Sequence, residues 1–172
     1  YETQVIAMDI PNSLKAPCAE YPLGTDEFGR DILARIVHGS RMSLIISFTS
    51  VAISLVIGGI CGALSGYFGG RIDNLIMRIT DILLAIPMTL FAIVIVAALG
   101  PSTKNLAIAL AASSIPVFAR IVRSAVLTVR DVEYIEAARA IGATNGTIIL
   151  GHVLPNCLSP IIVQVTLRIA NA

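Results

Sequence analysis

Charge is scarce in this sequence. Only 13% of its 172 residues are Asp, Glu, Lys or Arg, against about 25% in an ordinary soluble domain, and there is no Trp. The twelve basic and eleven acidic side chains leave a net charge of +1, so the charge balance points to neither nucleic acid nor an acidic substrate. Cys18, Cys61 and Cys157 are far apart and form no C-x-x-C pair; they read as packing residues. His38 and His152 have no His, Cys, Asp or Glu at metal-ligand spacing, and no metal site is expected. Gly24-Thr25-Asp26 followed by Gly29-Arg30-Asp31 lacks the G-x-x-x-x-G-K-[ST] arrangement of a phosphate loop, and no strand precedes it. It reads as a turn before an interfacial helix, with Arg30, Asp26 and Asp31 knitting it together. Residues 1–41 are polar throughout and hold no apolar signal-peptide core. No catalytic residue and no cofactor are expected.

What the sequence has instead is oil. Hydrophobic residues make up 56% of it, and its mean hydropathy is +0.86. No charge occurs between Arg41 and Arg71, or between Asp81 and Lys104. About 20 apolar residues suffice for a helix to cross a hydrocarbon core. These runs, with 105-NLAIALAASSIPVFA-119 continued through Arg120 and Arg123, which can snorkel to an aqueous end, and a run opening at Cys157, predict an all-α integral membrane protein. The expected spans are about 42–67, 82–100, 105–128 and 157–172, with Pro87 near the start of the second. The first residue is not Met and the last run is short, so the chain is expected to be incomplete at both ends. Gly58, Gly59, Gly62, Ser65 and Gly66 in the first span, and Ala107 to Ser114 in the third, are small residues of the kind that let helices approach closely in lipid.

Orientation follows from the basic residues. Arg71, Arg78, Arg120, Arg123, Arg130 and Arg139 fall on one side and Lys104 on the other, which sets the charged segment 120–156 in the cytoplasm and residues 1–41 outside. Lys15, Arg30, Arg35 and Arg41 in that outer segment run against the rule. Two ionisable residues are candidates for a translocation path. Arg168 lies within the fourth span, where a charge is costly without a polar route or a carboxylate. Asp81 sits at the start of the second span, with Arg78 as its expected partner.

Within the oily chain, 133-EYIEAARAIGATNGTIILGHVLPN-156 is polar and alanine-rich. Asp131 is expected to cap a helix with Glu133 and Glu136 near its positive end. Val132, Ile135 and Ala138, with Tyr134, Ala137 and Ile141, give one broad apolar side, and Glu133, Glu136 and Arg139 the charged side. Gly142 is the expected stop, Thr144 or Asn145 caps a second short helix through Ile148, Ile149 and Leu150, Pro155 ends it, and Pro160 marks the entry to the next span. The hairpin, about 130–156, is too short to fold alone. Two readings stand: a solvated loop, or a docking element in which Ala137 and Ala138 offer a low-relief surface with Glu136 and Arg139 on its rim.

Glu136-Ala137-Ala138, three residues, Gly142, and then Leu154-Pro155 resemble the E-A-A signature of the permease subunits of ATP-binding-cassette importers. His152 stands where the general signature has Ile, and 152-HVLPN-156 is similar to the form found in the peptide and nickel branch. The blocks 22-PLGTDEFGRDILARIVHGSRMSL-44 and 66-GYFGGRIDNLIMRITDILLAIP-87 resemble that branch too. The resemblance implies a polytopic type I importer permease fold in a bacterial or archaeal inner membrane. The hairpin residues Glu133, Glu136, Ala137, Ala138, Arg139, Gly142, Leu154 and Pro155 would dock on an ATPase subunit. The spans would be the second to fifth of six. The partners implied are a second homologous permease subunit, two ATPase subunits, an extracytoplasmic binding protein and membrane lipid. The solute would be a dipeptide, a longer peptide, a nickel complex, glutathione or similar cargo. Other classes are an ATP-independent channel or structural membrane protein, and an intramembrane enzyme, for which Ser113-Ser114 has no His or Lys on a matching face.

Overall fold

The computed structural model describes residues 7–171, so the readings of residues 1–6 and 172 fall outside it. The chain divides into two compact units, one up to Ile45 and one from Ile46 onward. The long helix α1, Ile32–Phe68, begins in the first and continues through the second; its start lies within the segment 1–41 and not at the charge-free run.

In the first unit a short 3-10 turn, Ile10–Asn12, and a single bridge between Thr25 and Asp31 are held by side chains. Thr25 Oγ1 donates to the Asn12 carbonyl at 2.5 Å and accepts from the Lys15 N–H at 2.8 Å. Asp26 accepts from the N–H groups of Phe28 and Arg30 at 2.9 and 3.0 Å, from Arg30 Nε at 2.9 Å, and from Arg35. Asp31 faces the helix instead, accepting from the Leu33 N–H at 2.9 Å as an N-terminal cap does. Gly29 has φ +75°, and a Cβ there would lie 1.7 Å from the Asp9 carbonyl oxygen. Only glycine fits that contact.

In the second unit, α1 lies along α4, Thr103–Val129, through a glycine stripe. A Cβ on Gly58 would come within 2.6 Å of the Ile115 carbonyl oxygen, one on Gly62 within 2.4 Å of that of Ala119, and one on Gly66 within 2.9 Å of Val126 Cβ. Backbones at this separation gain dispersion contacts that larger side chains would block. Ser54 Oγ adds a polar link, lying 2.6 Å from the Ser50 carbonyl of its own helix and 3.0 Å from the Ala111 carbonyl of α4.

Between them run α2, Gly70–Leu84, and α3, Met88–Leu99. The single span expected over 82–100 is in fact broken here, with an 85° bend between the two helices. Pro87 lacks an N–H and disfavours helical geometry at Ile86, which accounts for the break. Arg123 of α4 grips Asp73 of α2 with two bonds, at 2.5 and 2.6 Å, and Ser65 Oγ donates to the same carboxylate at 2.5 Å. Arg123 is therefore spent on a neighbouring helix and does not snorkel. Asn105 Nδ2 donates to the Leu99 and Gly100 carbonyls at 2.8 and 2.9 Å, which closes the turn from α3 into α4.

Three further helices complete the unit: α5, Glu133–Ala140; α6, Asn145–Asn156; and α7, Leu158–Asn171. Among the described residues, α1 and α4 are each long and apolar enough to cross a membrane; α2 with α3 and α6 with α7 raise the number to four if each bent pair is one span. Cys157 is buried in the core and Cys61 half-buried, as packing residues are, whereas Cys18 is exposed.

The glycine stripe makes a contrast that can be measured. Gly62→Ala should destabilise the purified protein by about 1–3 kcal/mol through overpacking, seen as a lower unfolding temperature in detergent. Gly59→Ala, whose added Cβ meets nothing within 4 Å, should leave that temperature unchanged or raise it slightly.

Asp26 gives a pH dependence. Burial acts to raise its pKa, but the N–H groups of Arg30 and Phe28 and the Arg30 guanidinium outweigh it and hold the carboxyl at about 2, below the ordinary 3.8. The depressed folded value means that the stabilisation is complete above about pH 4 and is lost as the pH falls towards about 2. Hydrogen exchange at the Phe28 and Arg30 amides should quicken across that window, and Asp26→Asn should remove the dependence.

Candidate functional site

The polar segment folds as two helices, α5 and α6, joined by a short turn. Helix α5 starts at Glu133, with Val132 as its N-terminal flanking residue and no side-chain cap. The expected cap, Asp131, instead pairs with its neighbour Arg130 at 3.0 Å. Glu133 and Glu136 lie in the first turn and Arg139 in the last, each sign at the end of the helix dipole that favours it.

The joint is built on Gly142, at φ +84°. Its N–H donates to the Arg139 carbonyl at 3.0 Å, and the Ala143 N–H donates to the Ala138 carbonyl at 3.1 Å. This is the Schellman pairing, which satisfies the last carbonyls of the helix and needs a left-handed residue. Thr144 Oγ1 then accepts from the Thr147 N–H at 3.4 Å and starts α6. Asn145, the other candidate cap, accepts from Tyr67 Oη at 3.0 Å.

Pro155 does not end α6. A π turn, Ile149–Val153, precedes it, the Leu154 N–H reaches back to the Ile149 carbonyl, and helix continues over Leu154–Asn156. The wide turn makes room for the proline ring and for its missing N–H. The break comes at Cys157, and α7 leaves at 64°.

One face of the hairpin is welded to the unit. Ile135, Ala138, Ile148 and Val153 are buried with Ala63, Tyr67, Val122, Ala125, Val126, Cys157 and Ile161, and Leu154 packs against them. The Arg139 guanidinium lies 5.3 Å from the centre of the Tyr67 ring, and Arg130 Nη1 donates to the Gly66 carbonyl at 2.9 Å. The expected Ala137–Ala138 surface is thereby divided, because Ala138 is sealed into the core and only Ala137 faces outward. The broad apolar side is divided likewise: Ile135 goes inward, while Val132, Tyr134 and Ile141 stay exposed.

The opposite face presents Glu133, Glu136 and Ala137, with Ile141 85% and Leu150 70% exposed. Pro155 and His152 are also exposed. Such a face joins bare aliphatic side chains to two carboxylates that make no ion pair among the described residues. It has the chemistry of a contact surface.

The two path candidates lie elsewhere. Asp81 is paired not with Arg78 but with Arg120 of α4, at 2.6 Å, with both side chains more than half exposed. Arg168 of α7 meets no carboxylate among the described residues, and its Nη1 lies 3.3 Å from Met88 Sδ. Tyr67, which locks the joint through Asn145, was not singled out by sequence reasoning; it stands in the 66-GYFGG-70 block, whose pattern does not say what its hydroxyl meets.

Long apolar helices, bent helix pairs and a polar hairpin packed against them define an all-α membrane protein. Residues 54–172 match the family described as "Binding-protein-dependent transport system inner membrane component", and the chain belongs to that family. It is 52% identical over 161 residues to the dipeptide transport system permease protein DppC of Alkalihalophilus pseudofirmus, covering 94% of this chain and 53% of that relative. It is 46% identical over 162 residues to the di/tripeptide transport system permease protein DppC of Pseudomonas aeruginosa, covering 94% and 54%. The chain thus spans about half the length of these relatives. Its fold matches a chain of the MetNI methionine ABC transporter in an inward-facing conformation, with a TM-score of 0.67 at 25% identity, over 78% of this chain and 68% of that one.

The joint can be loosened without touching the outer face. Gly142→Ala meets no steric neighbour within 4 Å, so its cost is the left-handed backbone alone, about 1–2 kcal/mol. Tyr67→Phe should cost about 1 kcal/mol by removing one hydrogen bond. Hydrogen exchange at the Gly142 and Ala143 amides should rise in both variants, while the amides of α4 stay protected.

Proposed function

We propose that this chain is part of a multi-pass permease subunit of an ATP-driven importer in a bacterial or archaeal inner membrane. It carries a peptide or related small solute across and performs no bond chemistry itself. The observation that carries the reading is the two-sided hairpin, one face fused to the helices and the other presenting Glu133, Glu136, Ala137, Ile141 and Leu150. The relatives named for dipeptide and di/tripeptide transport support the solute class.

In this reading the outer face docks on an ATPase subunit. Ile141 and Leu150 supply apolar area, and Glu133 and Glu136 set register with basic groups of the partner. Arg139 is held over Tyr67 and orders the hairpin. Gly142 sets the joint, and Leu154 and Pro155 carry the exit into α7. When ATP closes the ATPase pair, the hairpin moves as a body and its welded face passes the displacement to α1, α4 and α7, which alternates access to the path. The complete assembly holds a second homologous permease, two ATPase subunits and an extracytoplasmic binding protein, in lipid. The hairpin is cytoplasmic, and residues 1–41 are extracytoplasmic.

Full-length permease carrying Ile141→Asp or Glu136→Lys should lose most of its co-purifying ATPase, and peptide-stimulated ATP hydrolysis should fall by at least about tenfold. The joint in both variants should keep its hydrogen-exchange protection. Normal ATPase capture and uptake in both would overturn the docking assignment.

A further inference from the structure

The corner between α1 and α2 turns on two glycines. Gly69 and Gly70 have φ of +63° and +54°, left-handed backbone that glycine adopts without steric cost and that leaves the angle between the helices unset by the chain itself. Side chains set it instead. From α4, Arg123 holds the Asp73 carboxylate of α2 through Nε and Nη2 at 2.5 and 2.6 Å, and Ser65 Oγ, in the last turn of α1, donates to the same carboxylate at 2.5 Å. Arg130, at the C-terminal end of α4 and just before α5, donates from Nη1 to the Gly66 carbonyl at 2.9 Å. The same nitrogen lies 3.2 Å from the place of a Cβ on Gly69.

The next residue of α1 reaches the hairpin. Tyr67 donates to Asn145 at 3.0 Å, and its ring lies under Arg139. Ser65, Gly66 and Tyr67 thus bind α2, the end of α4 and the hairpin in turn, and every one of these bonds is closed within the chain. In lipid, polar bonds and close packing do the work of holding helices together, and a bidentate Arg–carboxylate pair fixes direction as well as distance. Helix α2 ends at the 85° bend that leads into α3. A rod clamped at its start passes a turn of the clamp to its far end.

We infer that Ser65, Asp73, Arg123 and Arg130 are positioning residues that carry the hairpin's displacement into α2, so that the bent pair α2–α3 moves with α1 and α4 in the transport cycle. This rests on the importer reading for the origin of the movement, and on the corner alone for its route.

The test uses the full-length permease in phosphatidylcholine nanodiscs, with its ATPase and binding protein. Asp73→Asn strands the Arg123 charge and should lower the unfolding temperature. Asp73→Leu combined with Arg123→Met replaces the ion pair by an apolar pair of similar volume, an exchange that is often neutral for stability, and should keep that temperature within about 4 °C of wild type. This double variant should still capture its ATPase and keep basal hydrolysis, while peptide-stimulated hydrolysis and uptake fall by about tenfold, within the ordinary range of coupling between two sites. Wild-type stimulation and uptake in the double variant would overturn the assignment. So would a double variant that unfolds as early as Asp73→Asn, because the pair would then only hold the fold. A second measurement needs no ATPase: nitroxide labels at the exposed Leu75 of α2 and Tyr134 of α5, introduced as non-canonical residues so that the cysteines stay. Their distance distribution should be about twice as broad in the double variant as in wild type, as for a joint that samples several arrangements. If wild-type permease captures no ATPase, the importer reading falls and the labels decide the link: broadening upholds it, and equal widths overturn it.

Discussion

The close approach of α1 and α4 is the constraint on which the second unit depends. Gly58, Gly62 and Gly66 repeat at four-residue spacing, and each lets a backbone or Cβ atom of α4 occupy the place of its own missing side chain. Between helices in lipid the hydrophobic effect contributes little, so contact distance decides association. With the stripe in place, Ala63 and Tyr67 on α1 and Val122, Ala125 and Val126 on α4 converge at one end of the pair. Without it there would be no floor for the hairpin to lie on.

That floor explains how so short and polar a segment holds its shape. An eight-residue helix does not persist alone, and α5 has no side-chain cap. Burial of Ile135 and Ile148 contributes about 1.5–3 kcal/mol each, and the Schellman pairing at Gly142 satisfies the carbonyls that burial would otherwise strand. Tyr67 joins both halves, its ring under Arg139 and its hydroxyl on Asn145. The hairpin is therefore an extension of the bundle with one face spare, and any force applied to that face reaches α1 and α4 through packed side chains.

Much of this was legible because it is local. Charge-free runs locate apolar helices from their own composition, and a glycine after an alanine-rich helix announces its left-handed stop. Gly142 and Thr144 were readable on those grounds. What sequence could not show was which residues meet across the fold. Asp81 had Arg78 one turn away, yet the ion pair goes to Arg120 on another helix. Ala137 and Ala138 are alike in one dimension, but one is sealed and the other bare, because only the packing direction of α5 separates them. The proline at 87 stood near the start of a single expected span; its effect on Ile86 turns the chain through 85°.

Proline at 155 acts in the opposite sense, and the difference bears on how movement would leave the hairpin. At Pro87 the chain loses helix altogether. At Pro155 the π turn over Ile149–Val153 takes up the strain, helix continues, and the bend is deferred to Cys157. Cys157 is buried in the same core as Ile135 and Ile148, so the corner between α6 and α7 is gripped by the helices beneath it. In the proposed coupling, a displacement of the outer face would reach α7 through this packed corner and not as slack in a loop.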